Sequence, residues 1–395
     1  MIGQVADSLA TPASGWAIDR IGHPKAWHLA GSICVTIGFS SIFSINPSQS
    51  HWWYIIAFGS LVIFFQIGWA IVQISHLSVI PTLAKDYTYS SDLTAIRYTA
   101  TVLSNIAVYF LTWLILGYNE APTNIGPEDS TKFKELVLST TIIGIFASVV
   151  FYIGVQFDKE DPNGIPSKSS VENKFPQETN NISGKHFLKS FSIYLVSLMY
   201  MSSRLYTVLN LIYIPLFLEE RSNNDQKQIE VVRSSIATIP LTSFCASFIA
   251  SIFLNYKSKF VNDKMVYFVG SILCLAGSIW IAFGIPLGSY NLMYAIVCLT
   301  GMGSSATMVS SLCLTAHFVK INGCQSASVY SIVTFTDKLI SGVVVLLIQY
   351  LQCNPKELCP NYYEHVLAYA CSTAAFLGMI SLSLLHYRRL NINKN

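Results

Sequence analysis

The sequence predicts an all-α, polytopic membrane protein, and three observations carry that prediction. Charged residues are 11% of the 395, less than half the roughly 25% of a globular chain, while hydrophobic residues reach 52%. That is too little charge to cover a soluble surface of this size. Apolar stretches of about 20 residues, the length that crosses a bilayer core, recur along the whole chain. Lys and Arg gather in alternate loops between them. Other classes drop out. The nine cysteines are scattered through apolar runs rather than spaced as a framework, and a net charge of +3 is too small and dispersed for a nucleic-acid footprint. No window resembles a cleavable signal peptide.

Eleven apolar stretches follow in order: 1–17, 26–45, 52–83, 97–117, 136–157, 190–218, 233–255, 265–285, 291–319, 327–351 and 365–385. Pro81, Pro215, Pro240 and Pro286 fall in or beside them, which membrane bundles tolerate. One set of loops, with the C-terminal tail, holds fifteen basic residues, among them Arg20, Lys25, Lys159, Lys264 and Arg388; the opposite loops hold five. The basic set is therefore expected on the cytoplasmic side. The polar stretch 158–189 reads as a flexible cytoplasmic linker, where the sequon at Asn181 would stay unused. Expected boundaries are an N-terminal half at 1–157, the linker, a C-terminal half at 190–386 and a cytoplasmic tail at 387–395.

A short internal repeat spans the linker. Lys25 to Cys34 matches the stretch from Lys264 through Ile272, with the same lysine-to-glycine spacing and Gly-Ser-Ile in both. It places two parallel halves about an axis normal to the membrane.

The strongest local pattern is Gly15, Asp19, Arg20, Gly22 and Lys25. The glycine permits close helix approach, and the carboxylate can cap a neighbouring helix end and pair with a base. This pattern resembles the loop signature that follows helix II in the major facilitator superfamily. The resemblance implies a two-half facilitator fold, a cytoplasmic gate at these five residues, and a chain that lacks helix I and carries 11 spans.

Four charges lie inside apolar stretches: Asp7, Arg204, Asp337 and Lys338. Each costs about 2.5–3.5 kcal/mol at a bilayer centre, so each must pair, neutralise or line a wet cavity. Arg97 sits nearer the end of its stretch and can snorkel. Asp7 shares a helical face with Gly3, Thr11 and Ser14; Lys338 shares one with Ser331, Thr334 and Ser341. Asp337 and Lys338 are about 100° apart, so one of them can point straight into a cavity. Asp7 and Lys338 are expected to form a charge pair between the halves, against the plainer alternative of pairs that only fix packing. Gln66, Trp69, Gln73 and His76 form another face, with His76 able to titrate near neutral pH. Ser197, Tyr200, Arg204 and Thr207 form a fourth, whose arginine fork suits a carboxylate.

Asp7-Ser-Leu-Ala-Thr11-Pro12-Ala-Ser-Gly15, with Lys338, resembles the glycoside–pentoside–hexuronide:cation symporters. The runs GQVADSLATP, GWAIVQISHLSVIP, DLTAIRYTATVLSNIAVY, YMSSRL and FTDKL resemble a branch of that group associated with lysosomes, melanosomes and cysteine import. The resemblance covers nearly the whole chain. It implies a secondary-active transporter importing cysteine or a similar small amino acid; the helical faces and interior charges above give the expected substrate or coupling-ion set as Asp7, Thr11, Trp69, Gln73, His76, Tyr200, Arg204, Asp337 and Lys338. It also implies a lysosomal or melanosomal membrane, with the plasma membrane as alternative; Tyr387-Arg-Arg-Leu390 fits a tyrosine-based sorting pattern. Thr11 and Gln73 stand where the sugar symporters carry carboxylates, which counts against sodium coupling and leaves a proton or another cation open.

Two alternatives remain at this stage: a lysolipid or sugar:cation symporter, and a non-transporting scaffold or receptor. Membrane lipid is an expected partner; nucleic acid, metal and cofactor are not. No nucleophile elbow, metal spacing or phosphate loop supports an enzyme. Cys353 and Cys359 share a non-cytoplasmic loop, where a disulfide can form in an oxidising compartment.

Overall fold

The computed structural model describes residues 2–45, 52–84, 87–116, 130–154, 188, 190–224, 229–257, 262–284, 290–322, 324–353 and 361–392. The described chain is helical: α1 (Ile2–Ile21), α2 (Pro24–Ser44), α3 (Trp52–Leu83), α4 (Tyr87–Leu116), α5 (Ser130–Gly154), α6 (Phe191–Asn224), α7 (Ile229–Lys257), α8 (Asp263–Ala282), α9 (Tyr290–Asn322) and α10 (Ser326–Tyr350). A last rod begins as α11 (Tyr362–His365), passes through a π-helical turn at Val366–Ala370 and continues as α12 (Cys371–Ile392). Counted once, that rod brings the described residues to 11 helices. Pro286, the sequon, Cys359 and the linker residues 158–187 lie outside the described residues.

Most helices overrun their apolar stretches. The clearest case is α4, which starts ten residues before the stretch at 97–117. Its first turns are polar in sequence yet buried: Ser90, Ser91, Thr94 and Ala95 are all enclosed. Thr94 donates its hydroxyl to the Ser90 carbonyl at 2.8 Å, and Ser91 donates to Cys313 Sγ at 3.2 Å. Arg97 therefore stands well inside α4 rather than near its end, a correction to the snorkelling expectation. Of the described helices, 8 are long and apolar enough to cross a membrane by length and composition. Those outside that set are α1 and α4, with their interior Ser, Thr, Asp and Arg, and α7, apolar only over Thr238–Leu254.

The chain divides into two compact units. Unit 1 comprises Met1–Val79, Leu111–Phe187 and Asn322–Ser328; unit 2 comprises Ile80–Phe110, Leu188–Ile321 and Val329–Asn395. Thus α3, α4 and α10, and α9 at its last residue, change unit within their own length.

In unit 1, α2 and α3 approach through glycine. A Cβ on Gly31 would lie 3.0 Å from the Gly68 carbonyl oxygen and 2.9 Å from the Ile71 and Val72 methyls, so only glycine fits without separating the helices. In unit 2, α8 and α9 use the same device: a Cβ on Gly270 would lie 3.0 Å from the Gly303 carbonyl oxygen. Gly31 and Gly270 are the glycines aligned by the internal repeat, so the repeat marks a shared helix-packing contact. The core of unit 2 forms around α6, where Tyr206, Leu209, Tyr213 and Phe217 pack with Ile239, Cys274, Ile296 and Leu367. Burying a side chain of that size is worth about 1.5–3 kcal/mol in water, whereas between membrane helices the gain is packing and hydrogen bonding. Tyr206 supplies the latter, donating to the Cys274 carbonyl at 3.0 Å.

Candidate functional site

Unit 2 contains a cavity of about 130 Å³ walled by α4, α6, α7 and α9. Thr101 and Asn105 come from α4; Arg204, Thr207 and Asn210 from α6; Ser243 and Ser247 from α7; Thr300 and Ser304 from α9. Tyr98, Leu211, Ile214, Phe244 and Met308 supply apolar surface. Among the described lining residues Arg204 is the one charged side chain. Its Nε lies 3.6 Å from Asp337 Oδ2 on α10; Asp337 is 6% exposed at the side chain and Arg204 is 43% exposed. Ser341 donates to the other oxygen, Asp337 Oδ1, at 3.0 Å. A buried, doubly held carboxylate therefore backs an arginine that stays open to the cavity.

The wall has a polarity that its composition hides. Thr207 donates its hydroxyl to the Ser203 carbonyl at 2.9 Å, and Ser247 and Ser304 donate to the Gly301 carbonyl at 2.9 and 3.0 Å. Asn210 spends its amide nitrogen on the Tyr206 carbonyl at 2.8 Å. With the hydroxyl protons committed to backbone and the Asn210 amide shared between the Tyr206 carbonyl and Cys371 Sγ, these groups keep lone pairs to offer. The cavity thus combines one cation with acceptors from Thr207, Ser247, Ser304 and Asn210, beside the further polar groups of Tyr98, Asn105 and Ser243.

The other expected residues fall as follows. Tyr200, Asp337 and Lys338 are buried in unit 2, as are Ser331, Thr334 and Ser341 beside Lys338. Asp337 and Lys338 are both enclosed, at 4% and 7% exposure, so neither side of α10 leaves its charge in lipid. Asp7 and Thr11 are buried in unit 1, and the Thr11 hydroxyl donates to the Asp7 carbonyl at 2.7 Å. Gln73 is half-buried, and its Oε1 is enclosed with no hydrogen-bond partner among the described residues. Trp69 is exposed, its ring 6.4 Å from that of Phe65. His76 packs with His28 and Phe151 in unit 1.

At the Gly15–Lys25 pattern, Gly15 is buried and α1 ends where Gly22 adopts φ +78°, a left-handed turn that suits glycine, before Pro24 opens α2. Asp19 reaches the first turn of α10. Its Oδ1 accepts from the Ala327 amide at 3.2 Å and its Oδ2 from the Ser328 amide at 2.6 Å. Two orphan donors of a helix N-terminus are satisfied by one carboxylate. Asp19 lies past the apolar stretch 1–17; burial pushes its carboxyl up from the ordinary range, while the Ser328 and Ala327 hydrogen bonds pull it down. Arg20 lies over the Trp16 ring at 5.0 Å, and Lys25 Nζ donates to the Tyr152 carbonyl at 3.3 Å. Cys353 is disulfide-bonded; Cys359 lies outside the described residues.

Residues 1–354 match the family described as MFS/sugar transport protein. The chain belongs to the major facilitator superfamily. Within this superfamily it is 33% identical over 379 residues to major facilitator superfamily domain-containing protein 12 of Equus caballus, covering 91% of this chain and 77% of that protein. The Homo sapiens protein of the same name is 32% identical over 382 residues, with 91% and 78% covered. Solved facilitators share the fold. A proton:xylose symporter bound to 6-bromo-6-deoxy-D-glucose superposes with a TM-score of 0.68 at 12% identity, covering 98% of this chain and 84% of its own. A bacterial homologue of the iron transporter ferroportin, in an outward-facing state, gives 0.65 at 13% identity, with 98% and 89% covered. The chain is accordingly a multi-pass membrane protein and a secondary transporter of small molecules, not an enzyme.

Sequence reading found Arg204 but missed Tyr98, Asn105 and Asn210. A signal was present: Tyr98, Thr101 and Asn105 recur at helical spacing along α4. It was hidden because Ser, Thr and Asn are frequent throughout these helices.

Proposed function

We propose that this facilitator imports cysteine, or a similarly small amino acid, into lysosome-related organelles by alternating access. The observation that carries the reading is the cavity's complementarity to a zwitterion. Arg204 offers a guanidinium fork to a carboxylate, and the proton-committed hydroxyls of Thr207, Ser247 and Ser304 offer acceptors to an ammonium. A volume of about 130 Å³ suits a ligand of that size. The branch resemblance supplies cysteine and the organelle. Asp7 and Lys338, both buried, are the groups proposed to carry coupling charge through the cycle.

A second reading, sugar:cation symport, draws on the many hydroxyl and amide groups of the same wall. The open guanidinium of Arg204, the one charged side chain of the described lining, favours a ligand with a carboxylate over a neutral sugar. The test is uptake of labelled cysteine by vesicles holding the full chain, with competition by unlabelled amino acids and hexoses. Arg204→Lys keeps the charge and loses the fork, so apparent affinity should fall by about tenfold or more, given the 1.5–3 kcal/mol of a charge-assisted hydrogen bond. Asp337→Asn should instead lower folded yield. Unchanged affinity in Arg204→Lys, with yield lost in both variants, would leave Arg204 a packing residue.

A further inference from the structure

Unit 1 holds a second polar cluster, none of whose residues lines the cavity of unit 2. His28 on α2 is buried, and its Nδ1 lies 2.6 Å from the Tyr152 hydroxyl on α5. His76 on α3 approaches it, with ring centroids 5.7 Å apart and planes tilted by 44°. Phe151 packs against both rings, at 5.0 Å from His28 and 5.6 Å from His76. We propose that His28 and His76 form one proton-binding site, at the end of unit 1 that carries the basic loop of Arg20 and Lys25, and that its occupancy sets the transport rate.

The argument is geometric. Histidine is the side chain whose ordinary titration falls between about pH 5 and 8. Two positively charged rings at this separation repel one another, so the pair holds one proton in place of two independent ones. His76 is half-buried where His28 is enclosed, which gives the proton an entry. Binding it alters a helix contact. A neutral His28 whose Nδ1 is unprotonated accepts the Tyr152 proton; once Nδ1 is protonated it donates, and the Tyr152 oxygen must accept. The link between α2 and α5 is thereby rewritten, with the Tyr152 proton turning to another acceptor such as the Ser32 hydroxyl, which sits 3.5 Å from His28 Nδ1.

The surrounding charges leave that role to the imidazoles. From α2, Lys25 directs its Nζ to the Tyr152 backbone carbonyl. From α5 the titratable neighbour is Tyr152 itself. α1 joins α2 and α3 through Ile18, Trp27 and Ile74, and its adjoining charges are engaged elsewhere: Asp19 with the α10 amides and Arg20 over Trp16.

The test begins without substrate, on the purified full chain in detergent. Histidine-labelled protein is titrated by NMR between about pH 5 and 8, with His28→Gln and His76→Gln to assign the rings. The expected result is that the two rings titrate together, and that removing either shifts the midpoint of the other. Transport is then measured as labelled cysteine uptake against pH on the basic-loop side. The wild type should vary by about threefold or more across that range, both Gln variants should flatten, and Tyr152→Phe should keep a dependence with a displaced midpoint. Rings that titrate independently, or a wild-type pH profile in both folded Gln variants, overturn the proposal. A chain that carries no cysteine sinks the substrate reading alone, because the substrate-free titration still decides the proton site.

Discussion

Asp19→Ala removes the carboxylate that satisfies two amides at the start of α10. The Ala327 residue is fully buried and Ser328 is half-buried, so the first amide loses its partner outright and the second recovers part of its hydration. An unsatisfied buried amide costs about 1–3 kcal/mol, and the lost charge at a helix N-terminus adds about 0.3–1 kcal/mol. The sum, with the second amide discounted, is about 2–4 kcal/mol. Asp19→Asn keeps one acceptor oxygen but loses the charge and one of the two bonds, which should cost about 1–2 kcal/mol. Denaturation of the purified chain in detergent should therefore rank wild type above Asn above Ala. The short 2.6 Å bond to Ser328 makes the Asn step measurable, because charge-assisted bonds are about twice as strong as neutral ones. An Ala variant within about 0.5 kcal/mol of the wild type would show that water replaces the carboxylate at no cost, and the capping argument would fail.

Two further outcomes are expected. Gly31→Ala forces α2 from α3 and should lower stability by about 1–3 kcal/mol, whereas Gly59→Ala, with nothing within 4 Å of the new Cβ, should leave thermal unfolding unchanged; equal effects would refute the close-packing reading. Gln73→Leu removes an enclosed oxygen without a described partner, so it should retain the wild-type melting temperature and lose transport, and undiminished uptake would strip Gln73 of a role in the cycle.

Legibility in the sequence followed the physics of each feature. Helix number came from apolar length, because a bilayer sets one span for every helix. Helix ends did not, since α4 begins on Ser and Thr whose hydroxyls find carbonyls within the same helix or Cys313 across a contact. The Gly15–Lys25 pattern stood out because its glycines and charges have fixed spacing, yet the helix that Asp19 caps lies some 300 residues further along and no spacing encodes it. His76 was visible as a polar residue in an apolar run; its neighbours His28 and Phe151 sit on other helices and emerge only on packing. Arg204 was readable as a costly charge, but the acceptor character of its cavity depends on where each hydroxyl sends its proton.

The hydroxyl-rich helices also bear on how the chain enters the membrane. At the translocon a nascent helix is judged largely on its own apolarity, and α1, α4 and α7 fall outside the set that qualifies by length and composition. Most of their hydroxyls bond carbonyls of their own helix, but two are satisfied only after a neighbour arrives: Ser91 waits for Cys313 of α9, and Ser247 for Gly301 of the same helix. Insertion of α4 and α7 should then depend on α9, which is made later. Substitutions along α9 should accordingly surface as misintegrated, rapidly degraded chains whose defect lies in biogenesis, long before any substrate is met.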